Sequence, residues 1–400
     1  MTESKMLEVL YHGRLVGKLA EMPDKRIAFQ YDVNWLRTGF SISPFSLPLR
    51  GDVFVPTNAS RECFGGLFGV FADSLPDSWG ALLLDRYLKS IGMDSKTISS
   101  LDRLAYVGAS GMGALEYVPS KEKLFRSDVS SLNYDVIAGE CRKLLESKPS
   151  EQLDLLYKMG GSSGGTRPKI LVSEAGREWI LKFPARNDSD LSGRIEYLYS
   201  RCAKECGVVM TDTELVPSNV CGGYFKTARF DRENGNKIFT VTFAGILEAD
   251  FRAPSCDYET FFKLIRVLTK DSFKDIEQLY RVMCFNILAH NPDDHAKNFS
   301  VMYTEDAGWH FAPAYDLTYS ETYWGEHTTS IHRKGKDFLP EDVIRVGVGA
   351  GMNEAFCKNC YEEIFEKTRR LMKDIFDGDT GSLRKGDLQQ YVKDYTDTTR

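Results

Sequence analysis

The sequence predicts an α+β chain with a β-rich front and a largely helical back. Three observations lead there. Residues 1 to about 60 alternate apolar and polar positions at period two. The span from 161 to about 248 reads as strand, helix, strand, strand. From about 256 onward apolar residues recur at helical spacing, interrupted between 290 and 320. At 400 residues the chain exceeds what one core usually carries, so two or three lobes are expected.

Each element follows from local pattern. LEVLYHGRLVGKLA alternates and carries His12-Gly13 where a hairpin turns, and RIAFQYDVNWL continues the strand pattern. The period then changes in FGGLFGVFADSLPDSWGALLLDRYLKSIG (64 to 92). Asp77 or Ser78 is placed to cap a helix that runs through Leu82, Leu83 and Tyr87 and stops near Gly92. YVGASGMGALEYVP (106 to 119) is a glycine-rich turn into a short strand. From 120 to 160 the chain is charged and helical in spacing, with CRKLLESK and EQLDLLYKM amphipathic. That span marks a boundary and divides the chain into 1–120, 121–250 and 251–400. Beyond it, SGRIEYLYSRCAKECG predicts a helix with Ser192 as its N-cap and Gly207 at its end. FSVMY (299 to 303) and WHFAP (309 to 313) predict a hairpin. The C-terminal KDYTDTTR carries no readable site and is expected to be mobile.

Composition narrows the class. With 42% apolar and 27% charged residues the chain is an ordinary globular one, and a net charge of −6 argues against a broad non-specific nucleic-acid surface. No apolar run has the length of a membrane span. The N-terminal MTESKMLEVLYHGRLVG reads as a strand instead of a signal peptide, so a cytoplasmic address is expected. The nine cysteines are scattered. Cys202/Cys206 and Cys357/Cys360 are close pairs, but neither has a second Cys/His pair nearby to complete a zinc site, so buried thiols are expected.

The chemistry is concentrated in HNPDDHAKN (290 to 298). Asp293 stands five positions before Asn298, with His295 and Lys297 between them. Phosphoryl transfer pairs a carboxylate that orients or deprotonates an attacking hydroxyl with an amide oxygen that holds a metal on the phosphates. Four other parts surround this one. GGSSGGTRPK (160 to 169) leaves backbone N–H groups free to meet phosphates, though it is not a Walker A sequence; alone it equally reads as a flexible hairpin. In EWILKFP (178 to 184), alternation puts Lys182 on one face with Ile180, and Leu181 and Phe183 on the other. The common fate of such a lysine is an exposed edge position, but its nearness to the glycine loop favours a phosphate contact. Glu196 follows in the first turn of its helix, where either an ion pair to Lys182 or the helix dipole accounts for it. Asp316 in FAPAYDLTYS comes 18 residues after Asn298, and the intervening hairpin brings the two to one end as joint magnesium ligands. His295 is expected to orient the loop, with Asp293 as the base.

On DSLPDSWGALLLDRYL, YVGASGMGALEYVP, GGSSGGTRPK, WILKFP, YFKTARFDR, DDHAKNFS and YDLT, in that order, the chain resembles the HipA family of bacterial serine/threonine kinase toxins over nearly its whole length. The resemblance implies a bilobal, protein-kinase-like fold with an added N-terminal subdomain. It implies ATP and magnesium as cofactors, with Asp293, His295 and Lys297 in the catalytic loop and Asn298 and Asp316 on the metal. Ser162, Ser163, Gly164, Gly165, Thr166, Lys182 and Glu196 fall at the nucleotide, and Ile246, Leu247 and Glu248 at the hinge that holds adenine. Family members autophosphorylate a serine in or before the glycine loop, here Ser162 or Ser163. Their partner is a helix-turn-helix, HipB-like antitoxin through which operator DNA is reached, and their substrates include an aminoacyl-tRNA synthetase. The other reading of the same Asp/Asn pair is a small-molecule or lipid kinase. A non-catalytic member is the third, and the intact catalytic positions argue against it.

Overall fold

In the computed structural model, residues 5–122, 132–253, 255–322 and 325–377 are described. The terminal KDYTDTTR and part of the charged span after 120 lie outside them.

The front of the chain is a five-stranded antiparallel sheet. Its order is Val53–Phe54, Ile27–Tyr31, Arg14–Glu21, Met6–Tyr11 and Leu115–Val118. Alternation buries Leu7, Val9 and Tyr11 on one face of the first hairpin strand, Met6–Tyr11. His12 and Gly13 both take positive φ (48° and 73°), the two-residue turn whose twist matches the flanking strands. The strand expected to run through DVNWL ends earlier. Asp32 accepts a hydrogen bond from the Asn34 amide and starts a short helix, Val33–Thr38.

A four-stranded antiparallel sheet follows, ordered Lys169–Glu174, Arg177–Lys182, Tyr224–Ala228 and Thr213–Val216. Helix Ser192–Glu205 packs beside it; its N-cap position is Leu191, not Ser192, and carries no side-chain cap. The back is built on helices Tyr258–Leu268, Phe273–Leu288, Pro340–Gly349 and Glu354–Asp377. The hairpin Ser300–Thr304/Gly308–Phe311 adds Phe239–Thr242 to form a three-stranded sheet. All nine cysteines are free thiols, and Cys206, Cys357 and Cys360 are buried. Among the described residues no helix is long and apolar enough to cross a membrane.

Two cores cross the divisions expected near 120 and 250. One joins the front sheet to the helical lobe through Val9, Phe29, Phe71, Phe239, Phe243 and Phe299. The other gathers Trp79, Leu83 and Tyr87 of helix Ser78–Ser90 with Ile170, Leu181 and Phe183 of the four-stranded sheet and its flank, and Tyr87 stacks on Tyr157 of helix Leu153–Gly160. The Trp79 indole N–H donates to the Lys169 carbonyl at 2.9 Å.

Two acids, Asp73 buried and Glu248 half-buried, also join the front module to the lobes. Asp73 accepts from the Thr242 amide (2.7 Å) and hydroxyl (2.9 Å), and Glu248 accepts from the Gly69 amide (2.8 Å). Burial pushes Asp73 up to about 6 and Glu248 up to about 7. A raised folded-state carboxyl pKa adds stability at low pH that is lost as pH rises through that value. Between pH 4.5 and 8 the native protein therefore loses stability at this junction. Glu248→Gln keeps an acceptor for Gly69 and removes the titration. Denaturant melts at pH 5 and pH 8 should show the variant's pH-dependent loss smaller than the wild type's by about 1–3 kcal/mol.

Candidate active site

The cleft lies where the glycine loop, the four-stranded sheet, the front module and the catalytic loop meet, and has a cavity volume of about 310 Å³. Helix Leu153–Gly160 leads into the loop, where Gly165 takes φ +81°, a conformation that favours glycine. Ser162, Ser163, Gly164, Gly165 and Thr166 all line the cleft. The Ser163 hydroxyl is buried and donates to the Gly160 carbonyl at 2.6 Å, whereas Ser162 donates to the Ser110 carbonyl of the front module at 3.2 Å.

Strand alternation places Lys182 and Ile180 on the cleft face and buries Leu181 and Phe183 behind it. The Lys182 ammonium reaches Glu196 Oε1 and Asp316 Oδ1, each at 2.5 Å. Glu196 is 2% exposed and behind the wall of the cleft, so it acts on the site through Lys182. Burial works to lower the Lys182 pKa, but Asp316 and Glu196 outweigh it and raise it. Burial likewise works to raise Asp316, yet Lys182, Lys169 and Arg167 hold its carboxyl well below the usual range. Asp316 has φ +57°, the left-handed region, which is uncommon for a residue with a side chain.

In the catalytic loop, Asn298 donates its amide N–H₂ to the Asp293 carbonyl at 2.7 Å, which leaves the amide oxygen as the atom that could ligate a metal. The Asp293 side chain is 55% exposed, at the mouth of the cleft, with His295 Nε2 3.7 Å away. Surrounding protein raises the Asp293 pKa; His295 opposes the rise and Asp316 adds to it. Lys297 lies 4.8 Å from the Phe251 ring centroid and pairs with Asp77.

Asp316 and Asn298 supply hard oxygen donors suited to magnesium, which usually takes one or two protein oxygens and completes its shell with phosphates and water. Among the described residues no group of three or more His, Cys, Asp or Glu side chains forms a metal cage. The donor set therefore fits a metal shared with a nucleotide.

The structure moves one expected part. Ile246, Leu247 and Glu248 do not line the cleft. Thr242 caps a short helix, Phe243–Leu247, that turns the chain into the core; Ile246 is fully buried and Glu248 faces Gly69. The cleft is lined instead by Ala228, Arg229, Phe230 and Asp231, just past strand Tyr224–Ala228. The segment YFKTARFDR contained them, but only its pairing with Arg177–Lys182 reveals which end opens on the cleft.

Other site residues escaped the sequence reading. Lys169 pairs directly with Lys182 across the ladder and so shares its face; burial and Lys182 together push it down to about 8. Asp294, beside Asp293, is fully buried and accepts from Tyr258 (2.8 Å) and the Thr329 amide (3.0 Å), with His327 Nδ1 at 2.9 Å. It anchors the catalytic loop that presents Asp293. Asp73, Asp77 and Met112 reach the cleft from the front module.

A two-lobed fold with a glycine loop, a lysine held by a helix glutamate, and an Asp/Asn catalytic loop defines a kinase-like protein. The chain belongs to the HipA family of serine/threonine kinases: residues 7–118 match the HipA N-terminal domain and residues 161–372 the HipA-like C-terminal domain. The serine/threonine-protein kinase toxin HipA of Shewanella oneidensis is 23% identical over 88% of this chain and 84% of its own. The Sinorhizobium fredii protein Y4mE is 25% identical over 93% of each chain. The solved complex of Shewanella oneidensis HipA with HipB and operator DNA superposes with a TM-score of 0.67 at 19% identity, over 92% of this chain and 90% of that one.

Proposed function

We propose that this chain is an ATP- and magnesium-dependent serine/threonine protein kinase, the toxin of a type II toxin–antitoxin pair, acting in the cytoplasm on a translation component such as an aminoacyl-tRNA synthetase. The observation that carries the reading is Lys182 held at 2.5 Å from both Glu196 and Asp316 in the cleft that Asp293 and Asn298 also line. In this reading adenine lies against Ala228–Asp231, and Lys182 and Lys169 face the phosphates. Magnesium, held by Asn298 and Asp316, would neutralise charge on the phosphates. Asp293 accepts the proton of the attacking hydroxyl, and its raised pKa makes it a stronger base than an ordinary aspartate. Asp294 and His295 hold the loop in place. A HipB-like antitoxin partner that contacts operator DNA is supported by the likeness to the Shewanella complex.

The test is incubation with γ-labelled ATP and magnesium, with and without bacterial lysate. Label on this protein and on a lysate protein supports the reading; label only in small molecules transfers support to a small-molecule or lipid kinase.

Autophosphorylation at Ser162 or Ser163 is the proposed off switch. The Ser163 hydroxyl faces the Gly160 carbonyl, so a phosphate there has no room and brings a doubly negative group beside bound triphosphate. Ser163→Asp is expected to weaken ATP binding by tenfold or more in calorimetry. If mass spectrometry of active enzyme incubated with ATP finds neither serine modified, the switch is refuted.

A further inference from the structure

Asp77 occupies the N-cap position of helix Ser78–Ser90, yet its carboxylate makes no capping bond. Aspartate is among the best residues for capping its own helix. This one instead turns outward to two groups from elsewhere in the fold. Its Oδ2 accepts from the Gly165 amide at 2.9 Å, and its Oδ1 pairs with the Lys297 ammonium at 2.5 Å. The helix is docked closely enough to hold that geometry: the Trp79 amide donates to the Gly165 carbonyl at 3.3 Å, and a Cβ on Gly80 would come within 2.5 Å of the Ser163 carbonyl.

The two partners share a property. One is a backbone N–H of the glycine loop and the other a lysine of the catalytic loop, and both are the kinds of donor that phosphoryl transfer directs at phosphate oxygens. Asp77 presents them with a charged, two-oxygen acceptor of the same character. It comes from a module, 7–118, separate from the domain that carries both partners. We propose that Asp77 competes with the nucleotide's phosphates for Gly165 N–H and Lys297, so that the front module sets the affinity of the cleft for triphosphate. This rests on the kinase reading above. The consequence is selective: the carboxylate opposes phosphate groups and leaves the adenosine part untouched.

Asp77→Asn tests it. Asparagine caps a helix as well as aspartate and its amide oxygen can still accept from Gly165, but it cannot pair with Lys297. Titration calorimetry of wild type and variant, with matching circular-dichroism melts as the check on folding, uses three probes: magnesium-ATP, magnesium-tripolyphosphate and adenosine. The expected result is about threefold to tenfold tighter binding of ATP and tripolyphosphate with adenosine unchanged, the scale of one partly exposed ion pair. In a Lys297→Met background the gain should largely vanish, because asparagine keeps the Gly165 contact. Unchanged or weaker ATP binding by Asp77→Asn overturns the proposal and makes the carboxylate a brace for Lys297. A gain that includes adenosine also overturns it. Failure of both proteins to bind ATP contradicts the kinase reading itself.

Discussion

Asp293→Asn is expected to reduce phosphoryl transfer by about a hundredfold to ten-thousandfold, the range of a positioned general base. It should leave folding and nucleotide affinity near wild type. The side chain is 55% exposed, whereas its neighbour Asp294 is fully buried. The Asp293 carbonyl, which receives the Asn298 amide, is a backbone group and survives the substitution. Steady-state transfer from γ-labelled ATP, with a thermal melt on the same samples, checks both halves. Turnover within a factor of about three of wild type would remove Asp293 from the base role. The contrasting variant is Asp294→Ala, which leaves Tyr258 and the Thr329 amide without their acceptor and should destabilise the protein.

Lys182→Met is expected to do the opposite kind of damage. Its ammonium neutralises Glu196, 2% exposed, and Asp316 together. Removing one member of a buried charged cluster costs about 3–5 kcal/mol because the remaining charges stay uncompensated. Arg167, 3.9 Å from Glu196, softens the loss and points to the lower end. Both stability and ATP binding should therefore fall. Equilibrium unfolding at pH 5 and pH 8 reads this directly. A variant as stable as wild type at both values would mean that the cluster is not the electrostatic centre of the cleft.

Local pattern made the ends of this site legible and long-range pairing hid the rest. Period-two alternation was sufficient to face Lys182 into the cleft, because side-chain direction in a strand needs only neighbours. The hairpin at His12-Gly13 was readable for the same reason, as was the stop of helix Ser78–Ser90 before Gly92 (φ +79°). The helix at Val33–Thr38 was misread as strand because VNWL has strand-like composition; the signal that outweighed it was Asp32 as a cap. The hinge expected at Ile246 to Glu248 fell away from the cleft because sequence order does not say which strand end opens on a cavity. Asp77 and Lys297 are 220 positions apart, and no local rule couples them. Asp77 or Ser78 was read as the cap because local chemistry favours that role; Asp77 does stand at the N-cap position, but contact with Gly165 redirects its carboxylate.

The central claim is a division of labour: Lys182 and the glycine loop hold nucleotide, and Asp293 moves the proton. Single-turnover transfer measured beside nucleotide titration, for wild type, Lys182→Met and Asp293→Asn, tests it most directly. The account predicts wild-type ATP affinity with transfer lost in Asp293→Asn, and loss of both in Lys182→Met. Full-rate transfer by Asp293→Asn, or undiminished ATP affinity in Lys182→Met, would contradict it.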